Sequence, residues 1–369
     1  MRFLLSGYYG FGNLGDEALL RVIVSQLKAR YPYAEIDVLS AQPEQTAHEL
    51  RVDATPRWDA KAIRRAIDRA DVVISGGGGL LQNTTSLRSL VYYAGIIRAA
   101  ARANRKAMIF AQSVGPLDFW GRTLVKECCK GVNAATVRDK RSVQTLAPLL
   151  PSDAHVEQTA DPVFLYDAPE EDVDLSSEGL GPTSDPLVVV SVRKAAGMKD
   201  RLDVVARAVD RLAKAHDARV AFLPIGGAPD AEVSTLVIRK CKSAPVLLPE
   251  CTLERAANII RRAKAVVGMR LHALILAARY GVPFLAIPYD PKVVALCDDL
   301  AYPMPPLFTL SPPGPKPEYE EVDALVDDFW ARREALSAHL IGAGERLREL
   351  AARNFEVLDE LLAENRMSS

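Results

Sequence analysis

Short β-rich runs alternate with amphipathic helical stretches along this chain, and that rhythm constrains the fold more than any other feature. The runs RFLLS (2–6), EIDVLS (35–40), DVVISG (71–76), KAMIFAQS (106–113) and NAATVR (133–138) form one set. A second set begins afresh at PLVVVSV (186–192), ARVAFLPI (218–225), PVLLPE (245–250), KAVVGM (264–269) and PFLAIP (283–288), with helical stretches such as 200–215 and 253–262 between them. Strands separated by helices make βαβ units, and βαβ units make parallel sheets. The rhythm restarts because 369 residues exceed what one core usually serves, roughly 250 to 300 residues.

The expected class is therefore α/β, with two Rossmann-like domains facing across a cleft and a long C-terminal helix. Residues 167–186, acidic and rich in Gly, Pro and Ser, have the composition of a linker. The expected domains are 1–175, 176–310, and a closing segment 311–369. A proline-rich loop running from Tyr302 leads into that last segment and its helix from about Tyr319 to Leu362, which should brace the domains or return towards the first one. AIRRAIDRADVVISGG (62–77) and ANIIRRAKAVVG (257–268) echo each other, each a basic helix running into a Val-Val strand that ends at glycine.

Charge narrows the choice of partners. With 46 basic and 47 acidic residues the net charge is −1, so no overall field attracts nucleic acid, and any anion site must be local. Five cysteines without a CxxC pair argue against a zinc knuckle and a disulfide framework, and fit a reducing, cytoplasmic setting. The N-terminal MRFLLSGYYGFGN is too short an apolar stretch for a signal peptide or an anchor. No metal cluster and no bound cofactor are expected.

Ligands of parallel sheets bind beyond the carboxyl ends of the strands, so the search for chemistry starts there. The first strand ends in GYYGFGNLGDEALL (7–20), whose glycines expose backbone N–H groups at a helix N-terminus. Asn13 and Asp16 either cap that helix or touch a ligand. Asp16 and Glu17 would repel a pyrophosphate, which argues against NAD or FAD at this turn. The third run ends in SGGGGLLQNTTS (75–86), where Gly77 and Gly78 permit close approach of a ligand and Gln82 and Asn83 are able to bond hydroxyls. AQSVGP (111–116) ends the next strand. VRDKRS (137–142) follows, where Arg138 and Asp139 are expected to pair with each other and cap a helix.

The most informative segment is GMRLHALILAARYGVPFLAIPYDPKV (268–293). Arg270 and His272 stand where a buried strand opens into an apolar helix, and neither belongs in a core without a partner. An arginine fork suits a carboxylate or phosphate, and a histidine carries a proton near neutral pH. Lys292 ends the following strand, and SVRKAAG (191–197) adds Arg193. Three strand ends thus deliver cations to one side. His48, His155, His216 and His339 have no such setting and read as surface or packing residues, as Cys128 and Cys129 do.

Taken together, GYYGFGNLGDEALL, GGGGLLQ, QSVGP, Asp161-Pro162, SVR at 191–193, GMRLHA and PYDPKV resemble the polysaccharide pyruvyl transferase family. The likeness is strongest to its bacterial branch that pyruvylates secondary cell-wall polymers for S-layer attachment. It runs over nearly the whole chain and implies a GT-B-like fold. It further implies phosphoenolpyruvate as co-substrate, bound by Arg193, Arg270, Leu271, His272 and Lys292. The glycine-rich loops of the first domain, with Asn13, Asp16, Glu17, Gly77, Gly78, Gln82 and Asn83, would take the acceptor, a cell-wall precursor sugar such as N-acetylmannosamine. Catalytic roles would fall to His272, Arg270, Lys292 and Asp16. A lipid-linked precursor would call for peripheral contact at the inner membrane face, without insertion. The rivals are a GT-B glycosyltransferase using a nucleotide sugar and a non-catalytic glycan-binding relative.

Overall fold

The computed structural model describes residues 1–83, 86–171, 173–181 and 183–363, so Thr84 and Thr85 of the glycine-rich run lie outside the described residues. The chain divides into two compact units, the first comprising Met1–Tyr166 with the chain from Leu347 onward and the second Asp167–Arg346. The linker composition and the proline-rich loop suggest boundaries at 175 and 310; packing draws them at 166 and 346.

In the first unit the chain runs β1 (Arg2–Ser6), α1 (Leu14–Arg30), β2 (Glu35–Ser40), α2 (Pro43–Leu50), β3 (Asp53–Pro56), α3 (Ala60–Arg69), β4 (Val72–Gly76), α4 (Leu87–Arg102), β5 (Lys106–Gln112), α5 (Phe119–Cys128), β6 (Ala134–Val137), α6 (Lys140–Leu146) and β7 (His155–Gln158). The strands form one seven-stranded parallel sheet in the order β3-β2-β1-β4-β5-β6-β7. Strands β3 and β7 do not stand out in the sequence. Their residues, DATP and HVEQ, lack the apolar run of central strands because both lie at sheet edges, where only one side pairs.

The second unit continues with β8 (Leu187–Ser191), α7 (Leu202–Ala215), β9 (Arg219–Phe222), α8 (Ala228–Ile238), β10 (Val246–Leu247), α9 (Leu253–Arg262), β11 (Ala265–Gly268), α10 (Leu271–Arg279), β12 (Phe284–Ala286), α11 (Pro291–Asp299) and α12 (Tyr319–Ala363). Its parallel sheet has the order β10-β9-β8-β11-β12. Written by position within the unit this is 3-2-1-4-5, the order of the first five strands of the other sheet. The two segments that echo in sequence, α3–β4 and α9–β11, occupy equivalent places. Both helices are capped by a short polar side chain, Asp59 accepting from the amides of Lys61 and Ala62, and Thr252 from that of Arg255.

Apolar side chains fill both faces of the first sheet. Ile67, Leu90, Ile97 and Val125 of α3, α4 and α5 pack on one face. Leu20, Ile23 and Leu27 of α1 pack on the other, together with Phe355, Leu358 and Leu361 of α12. Earlier in α12, Val322, Val326, Phe329 and Leu336 belong to the core of the second unit instead. The 45-residue helix is therefore shared between the two cores, as its return towards the first domain requires. All five cysteines are free, and burial pushes the Cys129 thiol up to about 12.

Asn354, fully buried, ties the returning helix to the edge of the first sheet. Its Nδ2 donates to the carbonyl of Ala160 at 2.9 Å and its Oδ1 accepts from the Thr159 hydroxyl at 2.8 Å. Asn354→Leu keeps the volume but strands both partners away from water, which costs about 1–3 kcal/mol per buried group. Urea denaturation should show the transition of the first unit displaced to lower denaturant; an unmoved transition would mean that apolar packing alone holds the helix.

Candidate active site

Each unit brings its candidate residues to the carboxyl edge of its own sheet, flanking the point where the strand order reverses. In the first unit that point lies between β1 and β4, the neighbours from which the β1–α1 and β4–α4 loops emerge.

The β1–α1 loop is held mostly by its own residues. Asn13 caps α1, its Oδ1 accepting from the Gly15 amide at 3.3 Å. Glu17 turns back, and its Oε1 accepts the Gly10 amide at 2.9 Å. Burial pushes the Glu17 carboxyl above its ordinary pKa, against the opposing pull of the amides of Gly10, Gly12 and Phe11. The amides that a phosphate would seek at this turn are thus already taken by a carboxylate from the first turn of α1. Asp16 sits differently: its Oδ1 lies against Gly78, so close that a Cβ there would be 3.0 Å away, and Gly78 has φ +71°. Only glycine suits that position, on both conformational and steric grounds. Asp16, Gly77 and Gly78 therefore come together at the reversal. Asn83 is drawn aside, its Oδ1 accepting from the Asp118 amide at 3.2 Å and its own amide bonding the Pro116 carbonyl at 3.3 Å. Gln82, half-buried, precedes it.

Two residues at this edge escape a reading of the sequence. Arg57 is buried, donating from Nη1 to the Gly7 carbonyl at 2.8 Å and from Nη2 to the Tyr93 hydroxyl at 3.1 Å. Its guanidinium lies within 4.7–5.6 Å of the ring centroids of Phe11, Trp58, Tyr92 and Tyr93. Beside it, Trp58 is largely exposed. Their signal was the arginine after a strand end, hidden because β3 itself is so weakly marked.

QSVGP and Asp161-Pro162 turn out to meet. Asp139 caps α6 as expected, accepting from the Ser142 amide at 2.8 Å, but Arg138 does not pair with it. The Arg138 guanidinium turns instead to the buried carboxylate of Asp161, and its Nη2 donates to Ser113 Oγ at 3.0 Å. Adjacent residues on an extended strand point to opposite sides, which is why the neighbour loses to a residue 23 positions away.

In the second unit, the register sets Gly268 of β11 between Ser191 of β8 and Ala286 of β12. Arg193 and Arg270, each two residues past its strand end, consequently emerge side by side, and Tyr289, Asp290 and Lys292 follow β12. Arg193 Nη1 donates to the Tyr289 hydroxyl at 2.9 Å, and its guanidinium sits 4.5 Å from the ring centroid; Lys292 Nζ lies 5.8 Å from the same ring. One aromatic ring thus gathers two cations. Asp290 caps α11 through the Lys292 amide at 3.1 Å and leaves its other oxygen 3.9 Å from Lys292 Nζ.

Arg270 has a partner that composition alone does not reveal. Its Nε and Nη2 form a fork with Asp230, at 2.7 and 2.6 Å, and Asp230 is 0% exposed. The Gly226 amide donates to the same carboxylate at 2.8 Å. A Cβ on Gly226 would stand 1.7 Å from Arg270 Nη2, so glycine makes room for the guanidinium. Two strand-end glycines before an acid, GGAPD, were the available signal. Arg270 also holds the N-cap position of α10 without capping it through its side chain; Leu271, buried, and His272, half-buried, are the first residues of that helix. The N-terminal amides of α10 give this edge a positive potential. Among the described residues, no group of three or more His, Cys, Asp or Glu side chains is placed to hold a metal ion.

Several solved structures share this architecture over nearly their whole length. The S. aureus MnaA–UDP co-structure aligns with a TM-score of 0.67 at 10% identity, covering 98% of this chain and 97% of that one. Alr3699/HepE of Anabaena in complex with UDP-glucose gives 0.64 at 9%, covering 99% and 100%. The UDP-GlcNAc 2-epimerase of Neisseria meningitidis bound to UDP-GlcNAc gives 0.61 at 11%, covering 98% and 100%. The fold is accordingly of the GT-B class, two Rossmann-like units with a long C-terminal helix. No curated protein sequence matches the chain. The model of the family described as polysaccharide pyruvyl transferase matches residues 13–291, a span holding Asn13, Asp16 and Glu17 at the start of α1, the glycine loop after β4, Arg193 and the Arg270–His272 helix start, and the chain belongs to that family of transferases.

Proposed function

We propose that the protein transfers pyruvate from phosphoenolpyruvate to a sugar of a cell-wall polysaccharide precursor, forming a pyruvate ketal and releasing phosphate. The observation that carries this reading is the convergence of Arg193 and Lys292 on Tyr289, beside Arg270 and the start of α10. A compact cluster of cations suits a small donor bearing a carboxylate and a phosphate. The likeness to UDP-bound structures, at 9–11% identity, speaks for the fold and not for a nucleotide donor.

Ketal formation needs a proton on the methylene carbon of the enol donor. A sugar hydroxyl then attacks the cationic carbon, phosphate leaves, and the second hydroxyl closes the ketal. His272 would deliver the proton, and Asp16 would accept one from the attacking hydroxyl. Arg193 and Lys292 would hold the two anionic groups and neutralise phosphate as it departs. Arg270 contributes less free charge than its position suggests, since Asp230 takes two of its three nitrogens; Nη1 is the donor it offers. N-acetylmannosamine as acceptor, the secondary cell-wall polymer of an S-layer as destination and a cytoplasmic site of action complete the proposal.

Phosphate release from phosphoenolpyruvate, dependent on an acceptor sugar, is the decisive measurement; release of nucleotide from a UDP-sugar under the same conditions would overturn the reading. Arg193→Gln and Lys292→Gln should each raise the donor Kd by about one to two orders of magnitude, the worth of one charge-assisted hydrogen bond, with melting unchanged. Arg270→Ala should differ from both by losing stability as well, because it leaves Asp230 buried and unpaired, at a cost of about 3–5 kcal/mol. For His272→Ala we expect a fall in kcat on the order of a hundredfold or more with a smaller change in donor binding. Near-normal turnover in a destabilised protein would reduce the histidine to packing. The chemistry as written uses only proton transfer and charge neutralisation, so EDTA should leave the rate unchanged, and a loss reversed by a divalent ion would contradict the scheme.

A further inference from the structure

The carboxyl edge of the first unit carries a concentration of exposed apolar side chains that sugar transfer does not explain. Among the described residues thirteen large apolar side chains are exposed, and seven of them, Tyr8, Phe11, Trp58, Leu87, Val91, Phe119 and Trp120, follow the ends of β1, β3, β4 and β5. Because those strands are parallel, the seven share one edge. They are also linked. Tyr8 stacks on Phe11 at 4.1 Å, Phe11 meets Trp58 at 6.4 Å, and Trp58 meets Tyr92 at 6.0 Å. Val91 adjoins Tyr92 on α4, with Leu87 one turn before it. The bond from the Asp118 amide to Asn83 then ties the approach to α4 to the start of α5, where Phe119 and Trp120 stand 73% and 71% exposed. Between α3 and α4 lies an open apolar groove of about 530 Å³, lined by Trp58, Ile63, Ile67, Val91, Tyr92 and Ile96. Isolated exposed apolar residues are ordinary, but a connected group of this kind marks an interaction surface.

Charge identifies what the surface meets. The helices α3, α4 and α5 carry Lys61, Arg64, Arg65, Arg69, Arg88, Arg98, Arg102, Arg122 and Lys126, all nine exposed, against two acids, Asp68 and Glu127. This occurs in a chain whose net charge is −1; Lys61, Arg64, Arg88 and Arg122, in the first halves of their helices, stand nearest the exposed aromatic residues, and Arg69, Arg98, Arg102 and Lys126 extend the basic face along the helices. Tryptophan and phenylalanine beside arginine and lysine are the composition of an interfacial surface: aromatic rings enter the headgroup region while cations stay with anionic lipid phosphates. Phe119 and Trp120 project from the first turn of α5, and that turn has no acidic residue to oppose an anionic surface.

We infer that the α3–α4–α5 side of the first unit docks on the surface of an anionic lipid bilayer, without insertion of a helix. Among the described residues no helix is long and apolar enough to cross a membrane, so the association is peripheral. It rests on this surface alone and not on the identity of the donor. It would bring the glycine loops, at the same edge, to an acceptor carried on a lipid.

The test is co-sedimentation of the full chain with vesicles of phosphatidylglycerol and phosphatidylcholine, compared with vesicles of phosphatidylcholine alone. Binding should require the anionic lipid and weaken as salt rises, because each basic residue near such a surface contributes about 1 kcal/mol and is screened by ions. The double variant Phe119→Ala/Trp120→Ala should bind on the order of tenfold more weakly. The triple variant Arg64→Glu/Arg88→Glu/Arg122→Glu should bind on the order of a hundredfold more weakly. Both variants should melt as the parent does, since every altered side chain is exposed. Equal binding to neutral vesicles, no binding to either, or unchanged binding in both variants would overturn the inference. So would a concentration-dependent dimer dissolved by Phe119→Ala/Trp120→Ala, which would make the surface a contact between copies. Vesicle binding is read without turnover, so failure of the pyruvyl transfer reading leaves its outcome intact, and the reverse holds as well.

Discussion

Two neighbouring parallel strands cannot be joined by a tight turn; the chain has to cross a face of the sheet before it can pair again. Every strand of a parallel sheet therefore releases its C-terminal loop at the same edge, and residues far apart in sequence meet there without any further device. In the second unit this places Arg193, Arg270 and Lys292, spread over a hundred positions, within reach of one another, because Ser191, Gly268 and Ala286 stand in register. In the first it brings Asp16 and Gly78 together across the strand reversal and sets a line of exposed aromatic residues along the same edge. Chemistry and docking surface are both consequences of strand direction.

The central strands were legible because burial on both faces leaves an apolar run that no other element imitates. The edge strands β3 and β7 were not, since a strand with one free side tolerates aspartate, proline and glutamate. That difference propagated to function. Arg57 and Trp58 follow β3, so a strand missing from the reading concealed two residues at the edge where ligands were sought. At the candidate site the cations were visible by type and place, whereas their partners were not. A sequence shows that Arg270 needs an anion near it, but Asp230 lies 40 positions away on another helix, and only the fold brings it 2.6 Å from the guanidinium.

Three arginines at strand ends are held in the same manner. Arg57 is fixed by carbonyl, hydroxyl and ring faces, Arg138 by Asp161 and Ser113, and Arg270 by Asp230. Burying an ion pair gains little net stability, because desolvation offsets attraction. What such pairs supply is direction: a planar guanidinium gripped through two nitrogens has one orientation left. Gly226 shows how closely the main chain conforms to it, since the space a Cβ would need is filled by the arginine. Arg193 and Lys292 of the second unit rest on the Tyr289 ring instead, with Asp290 3.9 Å from the Lys292 ammonium.

The long helix α12 adds a constraint of timing. Phe355, Leu358 and Leu361 complete the core of the first unit, yet they leave the ribosome after every residue of the second. The second unit has its last buried apolar residues at Leu340 and Ala343 and is able to close while synthesis continues. The unit that begins first is thus finished last, and until then one face of its sheet, with Phe110 facing the vacant place of Phe355, stays open to whatever apolar surface the nascent chain encounters.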